Sequence, residues 1–582
     1  LWYLLLANTT FAYTHADTLR GSNGRGRDWW DVKRYDLSIE LNTAKKSITG
    51  NCEINFTIIK QPIDSMQIDL QQPLIIDEVS LLIQILPEKA MGQNPIFNNP
   101  QTISLPFEQD GNVCWVKYGF HKFNKNEKQQ DFIKTGNTDN TVYKYQLSIQ
   151  YHGQPRVAKN PPWDGGFIWG KDSTGKAWYS VACQGLGASA WWPCKDAQWD
   201  KPDSGVSIAI YPQSYSWKEE PDSVLVISNG KFFSKWNVMD DLMPGTNDGE
   251  TWHWQVKNPI NTYDVTFYIG DYAHWSDTLM GEKGKLDLDF YALRYNEAKA
   301  REQFKIVKPM LHCFEYWMGP YPFYEDGYKL VEAPYLGMEH QSAVAYGNQY
   351  KMGYLGMDRS GTGVGLLFDF IIVHESGHEW FGNSVTAYDI ADNWIHEGIT
   401  TYSETLFAEC QFGKEKAFEY CRGEWKNIRN DKPVIGDYGV NNEGSGDMYD
   451  KGAAIIHMIR MMINDDEKFR GLLHGINEKW YHGIVTSKEL EKYIADYTGL
   501  DLTAFFNEYL RTTQIPELEY YIKHRKLFFR FNNTTRGFTL PIEATDGTKK
   551  INIHPTADWQ KVKWKGGYNL SFSKDFLIHI KS

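Results

Sequence analysis

The sequence predicts a multidomain α+β protein: an N-terminal antiparallel β-domain, a mainly helical domain and a small C-terminal β-sandwich. Apolar residues recur with period two from Arg34 to about residue 272, and the period lengthens to a helical one from Glu297. Alternation returns after residue 513, and 582 residues are enough for several domains. The expected division is 1–30 as a signal remnant and N-terminal extension, 31–272 as the β-domain, 273–513 as the helical domain and 514–582 as the sandwich.

In the first domain Tyr35, Leu37, Ile39 and Leu41 share one face of a strand, and Cys52, Ile54, Phe56 and Ile58 share a face of the next. Lys45-Lys46 and Gly50 mark the hairpin turn between them. Strands recur at 145–151, 206–211 and 224–228, with Asn229-Gly230 as a second hairpin turn, and at 265–268 before Gly270-Asp271. Helical periodicity follows at 297–317, stopped by Gly319-Pro320, then at 366–383, 394–411, 452–464 and 502–510. The tail alternates again at 527–531, 551–553, 562–564, 570–572 and 576–580, with turns at Asp546-Gly547 and Gly566-Gly567.

Composition narrows the function. Hydrophobic residues are 42% and aromatics 15% of the chain, which excludes disorder. Sixty-one basic against 73 acidic residues give a net charge of −12 and argue against nucleic-acid binding, which needs a basic face. No apolar run approaches the roughly 20 residues of a membrane span, so no integral membrane segment is expected. Leu1–Ala12 reads as the tail of a signal peptide, and hence as export to a periplasm or the exterior. A cytoplasmic protein with a buried first strand is the alternative. Seven cysteines are too few for a disulfide framework and read mostly as buried thiols, Cys183 and Cys194 among them. A monomer is the default expectation.

The chemistry concentrates at His374-Glu375-Ser376-Gly377-His378. Residues i and i+4 share a helical face, so His374 and His378 offer two imidazoles to one ion. Glu375, about 100° around the helix, can address a metal-bound water without being a ligand. Glu397 follows 19 residues after His378, on a helix that Asp392 or Asn393 can cap, and the intervening loop can return it antiparallel to the first. Two histidines and a carboxylate leave a fourth position open to water, the arrangement of catalytic zinc. A third-histidine pattern fails, because Phe381 and Ser384 occupy its glycine and histidine positions. His396 reads as structural or solvent-facing. Glu404 reads as an acceptor behind a ligating histidine or as an ordinary surface carboxylate. The glycines of 361–365 read as a helix-entry loop.

These segments, from His374 through Asn383 and Trp394-Ile395-His396-Glu397-Gly398, resemble the aminopeptidase N and leukotriene A4 hydrolase family of gluzincin metallopeptidases. Met448-Tyr449-Asp450-Lys451-Gly452-Ala453 resembles its tyrosine motif, and Leu336-Gly337-Met338-Glu339-His340 its Gly-Ala-Met-Glu-Asn exopeptidase motif. The resemblance implies a thermolysin-like catalytic domain with one Zn2+ per chain, ligated by His374, His378 and Glu397. It implies Glu375 as general base and Tyr449 as oxyanion donor. It also implies that Glu339 and Gln184 receive the α-ammonium of a peptide with a free N-terminus, and that the Gly337-Met338 backbone pairs with that peptide. The expected activity is therefore a zinc aminopeptidase. An endopeptidase or epoxide hydrolase on the same metal, or a silent peptide-binding protein, are the alternatives. Leu336 and His340 depart from the motif, and His340 is expected to titrate near neutrality or to narrow the pocket. The large C-terminal helical domain of many relatives is expected to be missing.

Overall fold

The computed structural model describes residues 13–60, 65–87, 101–117, 141–213, 224–237 and 250–581; the expected signal remnant lies outside them. Strand Trp30–Asn42 buries Val32, Tyr35, Leu37, Ile39 and Leu41. It pairs antiparallel with Ser47–Ile58, placing Tyr35 opposite Ile54 and Leu41 opposite Ile48. The turn closes at 43–46, and Gly50 lies inside the second strand, under the Tyr151 ring. These strands centre an eight-stranded sheet in which one pairing, Trp30–Asn42 with Val206–Gln213, is parallel. A four-stranded sheet of Leu225–Ser228, Phe267–Gly270, Ala177–Ala182 and Gly166–Lys171 lies in the same apolar core.

Asn229-Gly230 is not a hairpin turn. The strand before it belongs to the four-stranded sheet and the strand after it, Lys231–Asn237, to the eight-stranded one. The buried Asn229 amide donates to the carbonyls of Asp264 (2.9 Å) and Gln341 (2.7 Å), which diverts the chain between sheets.

A five-stranded sheet follows, in the order Tyr272–Gly281, Gly284–Leu293, Tyr328–Glu332, Val344–Tyr346 and Gly337–Met338, so Gly337–Met338 is an edge. The helical pattern at 297–317 is two helices, Glu297–Gln303 and Val307–Met318, separated by a 3₁₀ turn. Pro309 explains the break: it lacks an N–H and is tolerated only in a helix's first turn. The helix expected at 366–383 is confined to Phe370–Gly377, where Asp369 caps Ile372 N–H and Gly382 turns the chain at φ +122°. Helix Trp394–Phe412 starts after Asn393 without a side-chain cap, because Asp392 instead accepts from Ser487 and Tyr438. Asp450–Ile463 and Thr503–Arg511 lie close to their expected positions, whereas Lys414–Glu424, Asp466–Lys479 and Ser487–Thr498 were not anticipated.

The C-terminal segment forms two sheets of four and three strands, and buries Leu527, Phe529 and Phe531 with Ile542, Ala544 and Ile553. Two of its strands, Glu517–Lys523 and Ile542–Thr545, were not foreseen, and the strand expected from 576 starts at His579. Its core is continuous with that of the helices. Among the described residues no helix is long and apolar enough to cross a membrane.

Five cysteines are buried thiols, but Cys313 and Cys410 form a disulfide. The bond joins helix Val307–Met318 to the far end of helix Trp394–Phe412 across 97 residues of sequence, a spacing that no local pattern reveals. Reduction should destabilise the helical region by about 2–4 kcal/mol, the usual worth of such a crosslink. Calorimetry with and without reductant, alongside non-reducing peptide mapping for the Cys313–Cys410 pair, checks this.

Candidate active site

Helix Phe370–Gly377 places His374 in its last turn, and His378 keeps helical dihedrals at the C-cap, so the i, i+4 relation survives the early end of the helix. Glu397 sits in the first turn of Trp394–Phe412. That helix crosses Asp450–Ile463 at two glycines: a Cβ on Gly398 would lie 2.8 Å from the Gly452 Cα. Only glycine permits this approach. It brings the start of the third helix, and Tyr449 just before it, to the histidines, with the Tyr449 ring centroid 6.0 Å from that of His374.

One ligand atom each from His374, His378 and Glu397 lies within 4.8 Å of the others, and all three residues are buried. Glu397 Oε2 stands 3.2 Å from His378 Nε2 and 3.6 Å from His374 Nε2. The opposite ring nitrogens are occupied: His374 Nδ1 pairs with Glu404 Oε1 at 2.7 Å, and His378 Nδ1 with the Phe381 carbonyl at 3.0 Å. Donating Nδ1–H to these acceptors turns each Nε2 lone pair toward the common point. This donor set fits a zinc ion. Burial opposes ionisation of Glu397, yet His378 and His374 hold its carboxyl well below the usual range. Glu404, also held by Tyr420, lies buried behind His374 and is not a surface residue.

The donors open into a cleft of about 720 Å³ that also takes in Gln184, Gly337, Met338, Glu339, Glu375 and Tyr449. All nine residues singled out in the sequence thus meet in one place. Gln184 Nε2 donates to Glu339 Oε1 (2.8 Å) and Glu397 Oε1 (3.1 Å), which ties the β-domain to the metal site. Burial pushes the Glu375 carboxyl up to about 7. Desolvation, then the charges of Glu397, Glu339 and Glu443, hold the Tyr449 phenol well above its ordinary value, so it remains a proton donor.

Two neighbours of Glu339 were missed: Tyr263 donates to its Oε1 at 3.2 Å, and Asn383 to its carbonyl at 2.7 Å. Asn383 ends the histidine motif and could have been suspected; Tyr263 carries no sequence signal. His396 is buried, not solvent-facing, and accepts from Ala387 N–H at 2.8 Å. His340 does not titrate near neutrality. It is fully buried against the Tyr268 and Tyr335 rings, its Nδ1 lies 2.7 Å from Tyr268 Oη, and burial lowers its pKa to about 3. It does not line the cleft, whereas Leu336 does.

The fold and donor set define a protein of the two-histidine, one-carboxylate metal class. Residues 303–509 match the model of the peptidase family M1 domain. It is 24% identical over 301 residues to mouse (Mus musculus) endoplasmic reticulum aminopeptidase 1, covering 50% of this chain and 30% of that protein. It is 23% identical over 374 residues to aminopeptidase N of Lactobacillus helveticus (58% and 43%) and 26% over 285 residues to leukotriene A-4 hydrolase of Xenopus laevis (44% and 43%). The chain thus spans less than half the length of these relatives. The M1 zinc metallopeptidase structure from Deinococcus radiodurans superposes with a TM-score of 0.61 at 17% identity, over 84% of this chain and 95% of that one, a likeness of fold.

Replacing Glu404 by Gln should weaken zinc binding about 10- to 100-fold, the usual effect of losing a partner behind a ligand, measured by competition with a chromogenic chelator. His340 supplies a pH prediction. Its folded pKa of about 3 lies below the ordinary 6.5, so below pH 6.5 the unfolded chain binds a proton that the folded one refuses. Stability then falls by up to about 1.4 kcal/mol per pH unit from 6.5 toward 3. The melting temperature of wild type should therefore drop relative to His340→Asn as the pH is lowered from 7 to 5.

Proposed function

We propose that the chain is a zinc-dependent aminopeptidase that hydrolyses the first peptide bond of substrates with a free N-terminus. The observation that carries this reading is the Gln184–Glu339 pair lying against the three metal donors in one cleft. A buried carboxylate beside a metal site pairs with an α-ammonium, and an internal peptide segment would leave it unpaired at high cost. This disfavours the endopeptidase alternative.

Zinc held by His374, His378 and Glu397 supplies Lewis acidity and lowers the pKa of water. The chain's own groups do the rest. Glu339, steadied by Gln184 and Tyr263, fixes the amino end of the peptide, and the edge strand Gly337–Met338 offers backbone groups to its extended main chain. Glu375 accepts a proton from the attacking water and passes it to the leaving amine. Tyr449 donates to the developing oxyanion. Glu404 and the Phe381 carbonyl keep both imidazoles in the ligating tautomer.

We also propose export to an oxidising compartment, a reading supported by the Cys313–Cys410 disulfide.

Aminoacyl reporter amides, free and N-acetylated, test the activity. Only the free amides should be cleaved, chelation should abolish turnover, and Glu375→Gln should be inactive. Tyr449→Phe should lower kcat about 100- to 1,000-fold, as loss of an oxyanion donor does elsewhere, with little change in KM. Equal cleavage of acetylated amides would overturn the aminopeptidase reading.

A further inference from the structure

The C-terminal sandwich carries a basic face on a chain of net charge −12. Strands Glu517–Lys523, Lys526–Asn532 and Gln560–Lys563 are neighbours in its four-stranded sheet. Ile522, Leu527 and Val562 pack on the core, so the residues flanking them in each strand point away from it. Register sets those outward residues in two rows. Lys523 pairs with Lys526 and Lys526 with Lys563, while Tyr521 pairs with Phe528 and Phe528 with Lys561. Three lysines thus stand in line on strands about 4.8 Å apart, and like charges directly opposite one another destabilise a sheet.

The sheet does not neutralise this row. Lys523, Lys526, Lys561 and Lys563 are exposed, and among the described residues none of them forms an ion pair. The acids of the same face are committed elsewhere, Glu519 to Arg530 (2.7 Å) and Lys581 (3.1 Å), and Glu517 to Lys581 (3.2 Å). The hairpin tip adds a further cation. His524 and Arg525 form a two-residue turn with both residues at positive φ (51° and 58°), a conformation that Asn-Gly adopts with less strain. Trp564 N–H clamps the tip by donating to the Arg525 carbonyl at 2.8 Å. Aromatic rings border the cations. Trp559 is 46% and Tyr521 44% exposed, with ring centroids 5.1 Å apart, and Tyr521 stacks on Phe528 at 4.7 Å.

We propose that this face docks on an anionic phospholipid bilayer and attaches the protein to a membrane surface. The proposal makes no use of the cleft and is independent of the aminopeptidase reading. Headgroup phosphates supply the anions that the lysine row lacks, and each lysine or arginine near such a surface strengthens partitioning roughly fivefold. The rings select a bilayer over a polyanion in solution. Indole and phenol combine an apolar body with a polar tip and gain by lying at headgroup level, whereas a dissolved polyanion offers them no apolar layer. The acidic remainder of the molecule is repelled by the same surface, which turns the basic face toward it.

The test is co-sedimentation of the full chain with vesicles of phosphatidylcholine alone and of phosphatidylcholine mixed with phosphatidylglycerol. The mixed vesicles should bind the chain at low salt, pure phosphatidylcholine should not, and added salt should release it. Lys526→Gln combined with Lys563→Gln should weaken binding about 25-fold, the product of two lost charges. The same variant should keep or raise the melting temperature, because it removes facing like charges. Trp559→Ala should weaken vesicle binding and leave retention on heparin, a dissolved polyanion, unchanged. Equal sedimentation with both kinds of vesicle, or with neither, overturns the proposal. Vesicle binding that withstands Trp559→Ala and is abolished by heparin identifies a polyanion site and overturns it too. The vesicle comparison uses wild type alone, so a misfolded variant would not shield the idea. Cleavage of reporter amides plays no part in it, so the two proposals fail separately.

Discussion

The cleft concentrates negative charge that its own cations do not balance. Glu339, Glu375 and Glu397 face one another across a few ångströms with His374 and His378 among them, and Glu404 lies buried behind. Desolvated carboxylates at such distances cannot all stay ionised without counter-charge. Burial accordingly raises the carboxyl pKa of Glu339 and Glu375, while the imidazoles hold that of Glu397 down. Under the function proposed above, two external cations would resolve the imbalance: a divalent metal on the histidine side and a substrate ammonium on the Glu339 side. Under the proposed function, cofactor and substrate complete the electrostatics that folding leaves unfinished.

The rest of the molecule holds this arrangement in place. Helices Trp394–Phe412 and Asp450–Ile463 meet where Gly398 abuts Gly452, so Glu397 and Tyr449 arrive together. The Cys313–Cys410 bond anchors the opposite end of the Glu397 helix. The β-domain reaches into the site through the Gln184 amide, sets Pro162 and Trp163 on the cleft wall, and hydrogen-bonds Glu339 through Tyr263. A buried Lys201 ammonium, which donates to the carbonyls of Asn383 and Ser384, fastens the same domain to the loop after the histidines. The site is thus a property of the domain contact as much as of the helical domain.

Sequence patterns revealed the elements better than their limits. Period-two alternation identified the paired strands at 35–41 and 52–58, because one face of each is buried and the other is not. The same logic overran the helix at 366–383, since Leu366, Leu367 and Phe368 continue the apolar pattern without continuing the helix. Asn229-Gly230 has hairpin chemistry, but a buried asparagine side chain with two distant carbonyls to satisfy outweighed it. His340 looked like a neutral-pH switch because an isolated imidazole is one; burial between two tyrosine rings removes that property.

By itself the sequence pointed to the candidate donors His374, His378 and Glu397, since the i, i+4 spacing of the two histidines on a helix is a local rule, and motif resemblance named the candidate partners around them. It also determined the order of β-rich, helical and β-rich segments. Tertiary structure decided what depends on residues far apart in the chain: the cysteine pair 97 positions apart, the contact of Tyr263 with Glu339, and the closure of Glu404 onto His374. The physical reason is common to all three. Periodicity records which face of an element is buried, but not which side chain from another element meets it there.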